Sequence, residues 1–188
     1  LSIETINIDS QKSLLSRRWK LRDFDERDVI YFSQKYNLKY IVAKLLSIRG
    51  IDEDYIENFL NPNINNDIPD PAKLKDIDKA TSRVIQAIEK KERIGIIADY
   101  DVDGSTSASI LFKFLKNFNS SIILKIPNRL VDGYGPNIKL MREMLDNKVD
   151  LLLTLDCGTT SNEIIDNKEF KNIDVIVIDH HLSEINLP

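Results

Sequence analysis

Cysteine, tryptophan and histidine are scarce in this 188-residue chain, with one, one and two copies respectively. The single thiol, Cys157, excludes an internal disulfide and suits a reducing cytosol. No run of eighteen or more apolar residues occurs, so nothing is expected to span a membrane. The first residues lack the basic region, apolar stretch and small-residue cleavage site of a secretory signal. Positive charge is in deficit as well: 26 Lys and Arg stand against 30 Asp and Glu, a net of -4. Polyanion binders usually carry a basic stripe, so this balance weighs against nucleic acid unless cations neutralise an acidic site. The chain starts without Met and stops at "INLP", as expected of a piece of a longer protein.

What is there is enough for a buried core: 42% of residues are hydrophobic and 30% are charged, with both signs interspersed. From Asp25 to Leu60, helical spacing predicts three short helices in "DERDVIYFSQKY", "LKYIVAKLLSIRG" and "IDEDYIENFL", with Gly50 closing the second. The Asn- and Pro-rich "NPNINNDIPDPAKL" has no period and reads as a linker or draped loop. Beyond it, strands and helices alternate. "RIGIIAD", "SIILKIP", "VDLLLTLD" and "IDVIVID" read as strands; the segments around them, 76–92, 105–118, 135–148 and 160–170, read as helices. The strands are unbroken runs of Ile, Val and Leu, the pattern of strands buried on both faces. Helical crossovers between them imply a parallel sheet. The expected fold is therefore α/β, a parallel sheet flanked by helices, behind a helical segment. The expected boundaries are 1–60 for that segment, 61–75 for the linker and 76–188 for the α/β domain, cut short at its C-terminus.

The acids fall at the strand ends. Asp99, Asp156 and Asp179 each close a strand, Asp101 and Asp103 follow the first, and His180 and His181 follow the last. A parallel sheet gathers all these ends on one edge, where open α/β folds bind ligands. Any one such Asp has a plainer use as a helix cap or turn residue, and a lone His is usually structural. The coincidence of three strand ends with the only two histidines favours a site. Like charges ~4 Å apart repel by about 4 kcal/mol at an effective dielectric of 20. Either some of the carboxyls are protonated or divalent cations sit among them. Neutral imidazole beside carboxylate suits Mn2+ or a similar ion, and the all-oxygen positions suit Mg2+. The number of ligands suggests two ions about 3.5–4 Å apart, clamping a phosphoryl centre.

Gly104 is expected to let the backbone turn sharply after Asp103, so that Ser105 and Thr106 open a helix whose free N–H groups favour an anion. "CGTTS", 157–161, repeats that arrangement. Neither is a P-loop, because no Lys follows the Gly. Cys157 is either a thiolate ligand or a small buried turn residue. Arg17, Arg18, Lys20 and Arg22 surround Trp19, and this cluster either tracks a nucleic-acid strand or is a solvated face.

"DYDVDG", "LDCG" and "DHH", in that order on successive strand ends, resemble the first three motifs of the DHH phosphoesterase superfamily. Within it, "FLNPNINNDIPDPAKLKDIDKA", "IPNRLVDGYG" and the opening "SRRWKLRDFD" are similar to the bacterial RecJ exonuclease family. The resemblance covers nearly the whole chain. It implies metal-dependent hydrolysis of single-stranded DNA from the 5′ end, in repair and recombination in the cytoplasm, using two Mg2+ or Mn2+ ions. It implies single-stranded DNA as partner, with a single-strand-binding protein and a helicase beside it, and no membrane. By the same resemblance Asp101 and Asp103 each take one ion, Asp99 assists the first and Asp156 bridges the pair. His180 ligates the second ion, and His181 approaches the phosphate or supports its neighbour. Asp179 completes the metal group, acting from behind a histidine to fix its tautomer. Arg129 is a candidate phosphate contact, or a solvated loop charge, in a tight loop shaped by Gly133, Tyr134 and Gly135; Ser105 and Thr106 complete the substrate group.

The family places a further metal-binding aspartate and DNA-holding domains beyond the DHH motif, so this span alone is expected to bind metal weakly and to be nearly inactive. Three rivals stay open. "DVDGST" resembles the nucleophile loop of haloacid-dehalogenase-type phosphatases, which trapping a phosphorylated Asp101 would favour. A small-nucleotide or pyrophosphate DHH phosphoesterase and a non-catalytic DHH scaffold are the others. Because imidazole must be neutral to bind metal, activity of the parent protein is expected to fall below about pH 6.5. A pH–rate profile flat down to pH 5 would remove His180 from the ligands.

Overall fold

The computed structural model describes residues 14–17, 20–118, 121–182 and 186–188. Arg18 and Trp19, the centre of the basic cluster, lie outside the described residues. The chain divides into two compact units, Leu1–Asp70 and Pro71–Pro188.

The first unit is helical: α1 (Glu26–Lys35), α2 (Tyr40–Arg49), α3 (Ile56–Leu60) and α4 (Ile64–Asp67). Asp25 caps α1 by accepting the Arg27 N–H at 2.8 Å, with Glu26 and Asp28 in the first turn and Lys35 in the last. Val29, Phe32, Ala43, Leu46 and Ile56 form its core. The segment taken as aperiodic contains a helical turn, α4, and a second turn at Pro71–Lys73. Local caps rather than hydrophobic spacing make the first: Asn63 accepts the Asn65 N–H at 3.0 Å.

The second unit runs α5 (Ile77–Glu89), β1 (Arg93–Ala98), α6 (Val102–Lys116), β2 (Ser121–Lys125), α7 (Ile138–Asp146), β3 (Leu151–Leu155), α8 (Asn162–Ile165) and β4 (Asp174–Ile178). The sheet is parallel throughout, in the order β2-β1-β3-β4. Alternate strand residues serve opposite faces, so both faces are apolar. Ile94, Ile96, Leu151, Leu153 and Leu155 share a core with Ala87 of α5 and Ala108 and Leu115 of α6. Ile97 and Leu152 pack on the other side with Leu140, Met141 and Met144 of α7 and with Phe170. The unbroken aliphatic runs are thereby explained. The region 160–170 is not one helix but α8 followed by a short turn, Lys168–Phe170.

Helix α6 starts at Val102, three residues earlier than its apolar spacing suggests. Asp101 is extended, and its Oδ1 accepts the Gly104 N–H at 3.0 Å, which makes it the cap. Gly104 is therefore helical rather than a sharp turn. Its use is close approach: a Cβ there would lie 2.2 Å from the Asp99 main-chain oxygen. A backbone atom cannot swing aside, so the absence of a side chain lets the helix start sit on the end of β1. Gly104→Ala is expected to cost about 3 kcal/mol, the upper end of overpacking penalties. Urea denaturation checks this; an unchanged midpoint would show that the contact is relaxed.

Candidate metal centre

Strand register brings the acids together. Ala98 pairs with Leu155 and Leu155 with Ile178. The ladder then runs one residue further, with Asp99 N–H donating to Leu155 O at 3.1 Å and Asp156 N–H to Ile178 O at 2.8 Å. Asp99, Asp156 and Asp179 thus stand side by side at the C-terminal rim. The two middle strands, β1 and β3, lie where the chain crosses from one side of β1 to the other, the usual place for a ligand crevice.

Two groups of side chains offer ligand atoms within 4.8 Å of one another: Asp99, Asp101 and Asp156, and Asp156, His180 and His181. Asp156 belongs to both. Asp99 and Asp156 are buried, and Asp99 Oδ1 and both carboxylate oxygens of Asp156 lack any hydrogen-bond partner. His180 Nε2 lies 3.1 Å from Asp156 Oδ1 without forming a hydrogen bond to it. Buried acceptors left bare are costly. A divalent cation would satisfy them, and the oxygen-and-imidazole set fits one. Burial pushes the Asp156 carboxyl above the usual range, and the adjoining Asp101 adds to that. Asp101 is pushed the other way, chiefly by the Gly104 N–H.

Asp179 plays a different part. Its Oδ2 accepts the Thr159 N–H at 3.0 Å; its Oδ1 accepts the main-chain N–H groups of His180 and His181 at 2.8 and 3.2 Å and faces His181 Nδ1 at 2.7 Å. Burial works to raise its pKa, but these donors outweigh burial and hold it well below the carboxylate range. The same contact pushes His181 upward. Asp179 belongs to neither ligand group; it ties the turn after β4 to the turn after β3.

The remaining expected residues are placed as follows. Asp103 is exposed in the first turn of α6 and joins neither ligand group among the described residues. The free N–H groups expected of Ser105 and Thr106 are not there. Ser105 N–H donates to Asp101 O at 3.0 Å, and Thr106 is the fifth residue of a helix that begins at Val102, past the turn whose N–H groups are free. In "CGTTS" the Thr159 N–H is likewise taken, by Asp179, and α8 has only four residues. Cys157 is fully buried, and burial pushes its thiol up to about 12. Arg129 is exposed, its guanidinium carbon 5.4 Å from the centroid of the Tyr100 ring. Gly133 and Gly135 both have left-handed backbones, at φ 80 and 70, and Tyr134 between them turns its hydroxyl inward to Asp156 O and His181. Two features had no sequence signal: the left-handed backbone of Asp156, φ 60, and the engagement of the Tyr134 hydroxyl.

Fold and site together define an open α/β protein with a carboxylate–imidazole cluster at its strand ends. The chain belongs to the DHH family: the model for the DHH family, N-terminal domain, matches residues 93–188. It is 31% identical over 171 residues to the single-stranded-DNA-specific exonuclease RecJ of Bacillus subtilis, covering 91% of this chain and 22% of that relative. It is 35% identical over 108 residues to RecJ of Thermus thermophilus, covering 57% of this chain and 16% of the relative. A crystal structure of exonuclease RecJ bound to manganese superimposes with a TM-score of 0.55 at 34% identity, over 64% of this chain and 30% of that one. The chain thus spans less than a third of the length of each. No helix among the described residues is long and apolar enough to cross a membrane.

Asp179→Asn tests the anchoring role. Replacing an ionised acceptor with an amide leaves buried donors poorly paired, a loss of about 1–3 kcal/mol. Because folding lowers the Asp179 pKa, its contribution is complete above the ordinary value of 3.8 and fades as pH falls below it. The imidazolium favoured by this contact adds its own pH dependence near neutrality, so the Asp179 carboxylate is read in acid: the stability gap between wild type and variant is expected to narrow from pH 5 to pH 3. A gap that widens from pH 5 to pH 3 would refute the assignment.

Proposed function

We propose that this chain is the metal-binding part of a single-strand-specific DNA exonuclease that hydrolyses phosphodiester bonds from the 5′ end with two Mg2+ or Mn2+ ions. One observation carries the reading: the buried, unpartnered oxygens of Asp99 and Asp156, with Asp156 common to two ligand groups. The relatives' names, single-stranded-DNA-specific exonuclease, and the manganese bound to a similar structure support it. Asp99, Asp101 and Asp156 would hold one ion, and Asp156, His180 and His181 a second, with Asp103 within the same helix start. The ions would supply an activated water and a clamp for the attacking and leaving oxygens. The chain's residues do the placing. Asp179 holds the proton of His181 on Nδ1, which leaves Nε2 as the nitrogen free to act as a base or ligand. Arg129, exposed beside Tyr100, offers a guanidinium to a phosphate, and the 127–135 loop, turned by Gly133 and Gly135, carries it. The helix start at Asp101–Gly104, with Ser105 and Thr106 behind it, lines the other side. The residues assigned to the chemistry all lie in the second unit, Pro71–Pro188. Single-strand-binding protein and a helicase are proposed as partners, in the cytoplasm, on the resemblance alone.

The test uses the full-length parent, with 5′-labelled and 3′-labelled single strands and Mn2+, beside its Asp156→Asn variant. Wild type is expected to release 5′ label first. The variant is expected to lose at least a hundredfold in rate, yet to melt a few degrees higher without metal. An amide removes a charge that burial and the adjoining Asp101 oppose, and Asn accepts the left-handed backbone that Asp156 has. Added Mn2+ should raise the melting temperature of wild type and leave the variant unchanged. A variant that keeps full activity would sink the proposal.

A further inference from the structure

The hydroxyl of Tyr134 sits between two parts of the site. It is 3.0 Å from the main-chain oxygen of Asp156 and 3.0 Å from Nδ1 of His181, and its ring meets the imidazole edge-on, with centroids 5.7 Å apart at 79°. The directions of these bonds follow from what each group can do. A carbonyl oxygen only accepts, so the phenol proton points to Asp156 O. The Asp179 carboxylate, ionised and 2.7 Å from Nδ1, also only accepts, so Nδ1 carries the imidazole proton. A lone pair of the phenol is then free to accept the same N–H from the other side. Tyr134 keeps its proton, because burial and the neighbouring carboxylates of Asp179, Asp99 and Asp156 push its pKa upward.

Both groups it touches need holding. Asp156 has a left-handed backbone, φ 60, which a residue with a Cβ adopts at a cost. Its N–H is fixed by Ile178 O, and its C=O by Tyr134. His181 is exposed along part of its ring, and only Asp179 and Tyr134 hydrogen-bond its Nδ1 among the described residues. Although 43% of Tyr134 is exposed, its hydroxyl is the part turned inward and is fully used.

We propose that Tyr134 is a positioning residue: it clamps the Asp156 peptide and the His181 ring to each other, so that a carboxylate from one strand end and an imidazole from another keep a fixed spacing. This differs from a direct contact with substrate, the role its loop suggests. The effect on metal binding rests on the reading proposed above; the Nδ1 hydrogen bond does not.

Tyr134→Phe in this 188-residue chain, which removes one oxygen, separates the two roles. Imidazole ring resonances are read by 15N NMR in metal-free protein near pH 8.5, and Mn2+ affinity by electron paramagnetic resonance. With only two histidines in the chain, the assignment is direct. The expected result is a shifted His181 Nδ1 signal with His180 unmoved and Mn2+ affinity weakened about tenfold. Metal-free binding of a single-stranded oligonucleotide stays unchanged. An unmoved Nδ1 signal and unchanged Mn2+ affinity, with weakened oligonucleotide binding, would overturn the proposal in favour of substrate contact. Should the variant fail to fold, nuclear Overhauser contacts between the Tyr134 and His181 rings in wild type decide: present they support the clamp, absent they refute it. If wild type binds no Mn2+, the metal-centre reading fails, and the Nδ1 signal still decides the role of Tyr134.

Discussion

Two backbone hydrogen bonds just past the strands, Asp99 N–H to Leu155 O and Asp156 N–H to Ile178 O, hold the rest of the site in place. They continue the parallel ladder by one residue and so fix three carboxylates from distant parts of the sequence at neighbouring positions. The cost is electrostatic. Buried acids at this spacing repel and lose water, and burial pushes one of them, Asp156, above its usual pKa. The apolar packing on both faces of the sheet, from Ile96 and Leu153 on one side to Met141 and Met144 on the other, holds the rim together against that repulsion. Packing that holds repelling acids together is the arrangement expected where stability is traded for chemistry.

Around that rim the acids divide their work by what each can reach. Asp179 is satisfied by N–H donors from three residues and faces an imidazole, so it fixes the positions of others. Asp101 is half occupied by the start of α6. Asp99 and Asp156 keep bare oxygens. Identical side chains thus divide into anchors and bare acceptors according to the donors that the surrounding backbone offers each.

Much of this was legible in the chain itself. Aliphatic runs marked all four strands, and the acid after each of three of them marked the rim, because parallel register leaves few other places for it. The start of α6 was misplaced because an Asp that caps a helix and an Asp that ends a loop look alike when Gly follows. Hydrophobic spacing also cannot register a first turn made of Val102, Asp103 and Gly104. The turns at Ile64–Asp67 and Pro71–Lys73 have no apolar stripe, so periodicity missed them. The spent N–H of Thr159 and the inward hydroxyl of Tyr134 depend on long-range placement, which no local pattern encodes.

Cys157 gives the fold a built-in chemical reporter. Its sulfur is enclosed beside Asp156, and burial pushes its thiol up to about 12, so the reactive thiolate is scarce at neutral pH. An alkylating reagent must wait for the sheet edge to open. Labelling rate at the chain's single sulfhydryl therefore measures how often the rim around the acids comes apart, and a bound cation would slow that clock.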